Sequence, residues 1–211
     1  MQKILIATTN KGKIREISKF LSEMLAFHSS NVQILSLKDV GIDVDVEETG
    51  KTYLENSQLK ARFYAKLSGL PAISDDGGLE ISALGGAPGI KSRRWVGEDS
   101  TDEKIVEHMK KISKELPDDN RKAKFITVVS LALPSGEVWS EEGSVSGVIA
   151  EKPLLKILKG YPYRSFFYLS NLQKYYHEDE LTPLEEKEYN HRYKAIMALK
   201  PIIAKTLGIK D

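Results

Sequence analysis

Apolar and polar residues fall into blocks along the chain, and the period of each block predicts an element. Ile4-Leu5-Ile6-Ala7 is a short continuous apolar run and predicts a buried strand. Residues 8–12 are polar and read as a turn. Beyond them Ile14, Ile17, Phe20, Leu21, Met24 and Leu25 recur at helical intervals. A second strand is predicted over 32–37. Residues 52–67 carry Leu54, Ala61 and Ala65 at helical spacing, with Gly69 and Pro71 beyond them as a stop. Ala72-Ile73-Ser74 predicts a short strand that leaves directly into Asp75-Asp76-Gly77-Gly78. Ser100 and Glu103 have capping-box spacing ahead of a stripe formed by Ile105, Val106, Met109 and Ile112. Residues 125–133 and 138–149 predict paired strands joined at Pro134-Ser135-Gly136. Thr182, Pro183 and Glu185 give the strongest helix start, and Pro201 discourages continuation beyond about residue 199. This order of strands and helices predicts a mixed α/β (α+β) fold with an antiparallel hairpin.

Composition narrows the function classes. The 211 residues suit a single domain over 1–211, and 41% hydrophobic with 29% charged residues suit a soluble chain with a sizeable core. Thirty-one basic residues against 30 acidic ones leave +1, which argues against a nucleic-acid-binding module. Without cysteine there is no disulfide, thiol nucleophile or thiolate metal site. Met1 to Ala7 is too short an apolar run for a signal peptide, and nothing approaches the ~18–20 apolar residues of a membrane span. The expectation is a cytoplasmic protein with no membrane partner.

Three groups of residues carry candidate chemistry. Thr8-Thr9-Asn10-Lys11-Gly12-Lys13 lies between a strand and a helix, where backbone N–H groups and the helix dipole favour an anion. Lys11 and Lys13 add charge and Gly12 allows close approach, although an ordinary solvated turn has the same composition. The second group is acidic: Glu47-Glu48, and Asp75-Asp76 at a strand exit. Clustered carboxylates suit magnesium, a hard ion that shares oxygen ligands with phosphates. The third is Asn190-His191-Arg192 with Lys187, which stands four residues before His191 and would share its face on one helix. His28, His108 and His177 have no patterned partner and are assigned to the surface. Two decoys fail. Gly50-Lys51-Thr52 ends like a P-loop but has Asp45 where the first glycine belongs, and Gly85-Gly86-Ala87-Pro88-Gly89 lacks dinucleotide-fingerprint spacing.

Taken in order, these segments resemble the inosine triphosphate pyrophosphatase family, which hydrolyses non-canonical purine nucleoside triphosphates. The segments that carry the likeness are residues 6–13, Glu47-Glu48-Thr49-Gly50, Glu55-Asn56, Leu59-Lys60-Ala61-Arg62, residues 73–80, residues 83–90, Ser92, Arg94 and Gly97-Glu98-Asp99. The run from Ile73 to Ile90 is the most specific. The resemblance implies an elongated two-lobed fold around a twisted mixed sheet, with the nucleotide in a central cleft and a homodimer as the assembly. It implies that Thr8, Thr9, Asn10, Lys11, Gly12, Lys13 and Lys60 hold the triphosphate. It further implies that Glu47 and Asp76 bind Mg2+, with Asp76 also activating the attacking water. Lys187, His191 and Arg192 would read the base.

The chain departs from the family pattern at specific places. Gly77 replaces the serine of Asp-Asp-Ser-Gly. Gly160-Tyr161-Pro162-Tyr163-Arg164-Ser165 replaces Gly-Phe-Gly-Tyr-Asp-Pro, which keeps an aromatic at Tyr163 but puts Arg164 in place of an acid. Asn190 replaces the serine of Ser-His-Arg, and Lys187 sits one residue closer to His191 than the pattern has it, so an ungapped reading puts Glu186 there. The resemblance thus implies cleavage to monophosphate and pyrophosphate with a remodelled base-reading half. It leaves two alternatives: a pyrophosphatase for another nucleotide, or a nucleotide-binding protein without hydrolysis.

Overall fold

The computed structural model describes residues 1–26, 32–97 and 100–209, so His28, Glu98 and Asp99 lie outside the described residues. Its strands are β1 (Gln2–Ile6), β2 (Val32–Ser36), β3 (Ala72–Ile81), β4 (Lys122–Ala132), β5 (Val138–Ile149), β6 (Phe167–Leu169) and β7 (Lys174–Tyr175). They hydrogen-bond in the order β2-β1-β3-β4-β5-β6-β7. β1 is parallel to β2 and β3, whereas β6 is antiparallel to β5 and β7, so the predicted mixed α/β sheet is present. The helices are α1 (Lys11–Ala26), α2 (Tyr53–Ser68), α3 (Asp102–Glu115), α4 (Pro183–Tyr189), α5 (His191–Ala198) and α6 (Lys200–Thr206). The chain divides into two compact units.

The first unit comprises Met1–Asp76, Thr127–Gly143 and Arg192–Asp211. Successive side chains of a strand point to opposite faces, and the core of this unit obeys that period. Ile4, Ile6 and Ile73 pack with α1 residues Ile17, Phe20 and Leu21 and with Ala195, Ile196 and Ile203 from the C-terminal helices. Leu5, Ala7 and Ala72 pack on the other face with Ala61, Tyr64 and Ala65 of α2. Parallel pairing of Ile4 with Ile34 and Leu5 with Leu35 keeps β2 in the same alternation. The helix α2 starts at Thr52, whose side chain accepts from Glu55 N while Glu55 reaches back to the cap, and it stops at left-handed Gly69.

The second unit comprises Gly77–Ile126 and Ser144–His191. Its core gathers Leu79 and Ile81, the α3 stripe of Ile105, Val106 and Met109, and the aromatics Phe125, Phe166, Phe167 and Tyr176. Gly78 is required here by space, because a Cβ would fall 2.3 Å from Gly89 O and 2.4 Å from Ser92 Oγ. Ser92 Oγ ties this turn down by accepting from Leu79 N and donating to Gly89 O.

Several predicted boundaries are corrected. β3 does not end at Ser74 but continues to Ile81, so Asp75 and Asp76 lie within a strand. The cap of α3 is Thr101, which accepts from Lys104 N, rather than Ser100. The predicted helix over 183–199 is broken: Asn190 is extended at ψ 114°, and α5 follows it. Pro201 does not end helical structure, since it sits in the first turn of α6, where its missing N–H costs nothing. The break puts Lys187 and His191 on different helices, so they do not share a helical face. His177 is not on the surface but buried, its Nδ1 accepting from Asp179 N, and His108 packs edge-on against Trp95.

Candidate active site

The alternation that sorts the core of the first unit also sorts its charges. Asp75 has the parity of Ile73 and faces α1 and α5. Asp76 has the parity of Ala72 and faces α2. Asp75 is completely buried, and its Oδ2 accepts from Arg192 Nε at 3.0 Å and Nη2 at 2.8 Å. Thr127 Oγ1 donates to the same oxygen at 3.3 Å, and Lys13 Nζ stands 3.3 Å away. Arg192 Nη1 is bonded to Glu16, also buried. Burial opposes ionisation of Asp75, but Arg192 and then Lys13 and Lys60 outweigh it and hold its carboxyl far below the usual range. Asp75 is therefore a fixed anion at the base of the cluster.

Asp76 has the opposite balance. Asn56 Nδ2 donates to its Oδ2 at 3.2 Å, and Lys60 Nζ lies 3.7 Å from its Oδ1. Lys60 also forms an ion pair with Glu48. One ammonium thus holds two carboxylates. Burial raises the pKa of Asp76, and Lys60 and Lys13 do not fully offset it, with Glu48 adding repulsion. Lys13 is displaced the other way: burial lowers its pKa despite Asp75. The cluster accordingly gains from a further cation beside Asp76 and from an anion beside Lys13.

The nearby loop links β1 to α1. Thr8 and Gly12 are buried, whereas Thr9 and Lys11 are exposed. Asn10 Oδ1 accepts from Gly12 N at 2.9 Å and Lys13 N at 3.2 Å, and Asn10 N donates to Thr8 Oγ1. The helix start is capped by its own side chains, so these N–H groups are not open to an anion in this conformation. Lys13 remains the cation this loop sends into the cluster.

The two glutamates of the preceding loop differ in their surroundings. Glu48 pairs with Lys60 beside Asp76, while Glu47 is exposed. Among the described residues, no group of three or more His, Asp or Glu is arranged to hold a metal ion. Asp76 and the Glu47-Glu48 loop nevertheless fit magnesium, which takes one or two carboxylates and completes its shell with water and substrate phosphates. The fit rests on two hard-oxygen donors already converging on one cation, the Lys60 ammonium.

The residues expected to read the base lie mostly in the second unit, which includes Tyr163, Arg164, Lys187 and His191. Tyr163 is buried and donates from its hydroxyl to Ser92 O at 2.6 Å, so it packs the core rather than offering a stacking face. Burial pushes its phenol pKa upward. Arg164 points inward, with its guanidinium 4.0 Å from the Tyr161 ring and 4.5 Å from that of Tyr176. His191 stacks on Phe125 at 5.4 Å and shares a 2.9 Å hydrogen bond between its Nδ1 and Tyr176 OH. Lys187 is half-buried on α4, and Gly77 is half-buried within β3. Arg192, expected on the base, belongs to the first unit and engages Asp75 and Glu16.

The sequence reading did not assign roles to Glu16, Asn56 or Thr127. Asn56 carried a signal, since it stands four residues before Lys60 on one helical face. Glu16 and Thr127 carried none, because their partners are distant in sequence.

Comparison with known proteins follows the same lines. The Ham1 family model matches residues 4–202. A curated dITP/XTP pyrophosphatase of Shigella flexneri is 40% identical over 201 residues, covering 94% of this chain and 96% of that protein. The Thermus thermophilus protein of the same name is 40% identical over 198 residues, covering 93% and 89% respectively. A solved structure of a Ham1 protein from Coxiella burnetii superposes with a TM-score of 0.79 at 31% identity, covering 97% of this chain and all of that one. With the family model spanning nearly the whole chain and relatives of this identity aligned end to end, the protein belongs to the Ham1 family.

Proposed function

We propose that this protein is a Mg2+-dependent pyrophosphatase that cleaves non-canonical purine nucleoside triphosphates of the dITP/XTP class to monophosphate and pyrophosphate. The observation that carries the reading is the convergence of Asp76 and Glu48 on the Lys60 ammonium, with a second lysine, Lys13, on the neighbouring Asp75. The names of the Shigella flexneri and Thermus thermophilus relatives support the substrate class. Asp76 and Glu47 would hold the magnesium, which when bound neutralises phosphate oxygens as a Lewis acid. Lys13 and Lys60 bind the triphosphate and stabilise the charge that develops on the pyrophosphate leaving group. Asp76, whose carboxyl is held above its ordinary value, orients the attacking water and accepts its proton. A homodimer working in the cytoplasm completes this reading, supported by the resemblance alone.

Base preference admits a second reading. Arg164 stands where the resembling family has an acid, and it is clamped between two tyrosine rings. A pocket edge with donors in place of an acceptor would favour a different base, because unmatched polar groups discriminate strongly.

The test is pyrophosphate release from a panel of nucleoside triphosphates, with and without Mg2+, beside Asp76→Asn. Turnover of dITP or XTP should require metal and fall roughly a thousandfold in the variant, about 4 kcal/mol of barrier. A raised folded pKa means that the charged carboxylate costs stability at neutral pH, so Asp76→Asn should melt no lower than the wild type. Turnover confined to another nucleotide would favour the second reading, and metal-independent or absent release would defeat the first.

A further inference from the structure

Asn56 is fully buried and uses both ends of its amide. Its Nδ2 donates to Asp76 Oδ2 at 3.2 Å, and its Oδ1 accepts from Gly50 N at 2.7 Å. Gly50 stands two residues after Glu48, in the same loop, and Glu48 returns to Asp76 through Lys60. The contacts therefore close a ring: Asp76, Asn56, Gly50, Glu48, Lys60 and back to Asp76. Gly50 is kept bare by this arrangement, since a Cβ there would fall 2.5 Å from Asn56 Oδ1. Burying an amide is costly unless both ends are matched, and here both are.

The two arms of the ring differ in kind. The Lys60 arm is ionic, so it competes with any cation the carboxylates hold. The Asn56 arm is neutral and does not. We propose that Asn56 is a positioning residue that fastens the Glu47-Glu48 loop to Asp76 through the Gly50 N–H, keeping the loop's carboxylate and Asp76 in register for one divalent cation. This rests on the metal reading of the site given above.

The test titrates Mn2+ alone, followed by electron paramagnetic resonance of the free ion, into the wild type, Asn56→Ala, Gly50→Ala and the double variant. Mg2+-dependent pyrophosphate release is measured on the same proteins. Gly50→Ala breaks the tie from the loop side, its Cβ falling 2.5 Å from Asn56 Oδ1 and also against Glu55 Cβ and Asn56 N, so it serves even where Asn56→Ala fails to fold. Each single variant should weaken Mn2+ binding and lower kcat by about 10- to 100-fold. KM for the triphosphate should move by less than about threefold. The double variant should be no worse than the poorer single one, because both remove the same tie. Variants that melt earlier but bind Mn2+ as tightly as the wild type would overturn the proposal and leave Asn56 a packing residue. A wild type that neither binds Mn2+ nor releases pyrophosphate would overturn the metal reading itself.

Discussion

Replacing Arg192 by leucine separates a structural from a substrate-binding role for this residue. In the first unit its guanidinium bonds Asp75 through Nε and Nη2, at 3.0 and 2.8 Å, and Glu16 through Nη1. Arg192, Asp75 and Glu16 are all buried, at 3%, 0% and 5% exposure, so solvent screens none of them. Removing one partner of a buried ion pair costs about 3–5 kcal/mol, because the remaining charges are left uncompensated. Lys13, 3.3 Å from Asp75, keeps part of the compensation and puts the loss near the lower end. At about 2–4 °C per kcal/mol for a chain of this size, melting should fall by roughly 10 °C. The pH dependence gives a sharper check. The folded pKa of Asp75 lies below its ordinary 3.8, so its contribution is present above that value and is lost as pH falls through the folded value. The difference between wild type and Arg192→Leu should therefore be greatest near neutrality and shrink below about pH 4. Urea unfolding at about pH 7, 5 and 3.5 measures it. A loss under about 1 kcal/mol at neutral pH, or one that grows as pH falls, would refute the ion-network account. Unchanged stability with a raised KM would restore Arg192 to the base.

Two further outcomes are expected. Gly78→Ala places a methyl 2.3 Å from the Gly89 carbonyl oxygen, a backbone atom, and should cost about 1–3 kcal/mol in thermal unfolding; an unchanged melting temperature would show that the 89–92 turn gives way easily. Arg164→Asp removes a cation held by two tyrosine faces and buries a carboxylate there, which should destabilise the protein by roughly 2 kcal/mol or more. The same variant should alter the ranking of nucleotides in the release assay, and an unaltered ranking would remove Arg164 from base selection.

The parts of the fold legible in the sequence were those with a clean period. β1, α1, α2 and the two strands around Pro134-Ser135-Gly136 follow from apolar spacing, and each is present within a few residues of its expected bounds. β3 was misjudged because Asp-Gly and Gly-Gly are strong turn signals. In the fold, side-chain contacts on both carboxylates and the Thr127 hydroxyl on the Asp76 carbonyl hold the two aspartates extended. The C-terminal break has no local signal because Asn190 does not by itself stop a helix; in the fold it is a fully buried asparagine with an extended backbone. At the site, Lys13, Lys60 and Asp76 were named, and the structure gathers them in one unit. Glu47 and Glu48 are adjacent in a loop without period, and only the position of the Lys60 ammonium distinguishes them. Arg192 and Glu16 meet across 176 residues of sequence, a distance at which no local pattern carries information.

Asp75 and Asp76 show how one dipeptide acquires two unlike carboxyls. On the same face of a strand, two adjacent buried anions would repel, and no arrangement of cations could treat them separately. The pleat sends them to opposite faces, and each face then brings its own helices. α1 and α5 supply Lys13 and Arg192, which hold Asp75 ionised. α2 supplies a neutral amide and a lysine already shared with Glu48, which leaves Asp76 short of positive charge. Environments that push two neighbouring titratable groups apart are what assign them different tasks. The parity of β3 therefore sorts the charges as much as the packing. A one-residue slip against β1 would exchange Ile73 with Ala72 in the core and, in the same movement, exchange the surroundings of the two carboxyls. The apolar residues at the start of β3 thus set which aspartate faces the candidate metal site.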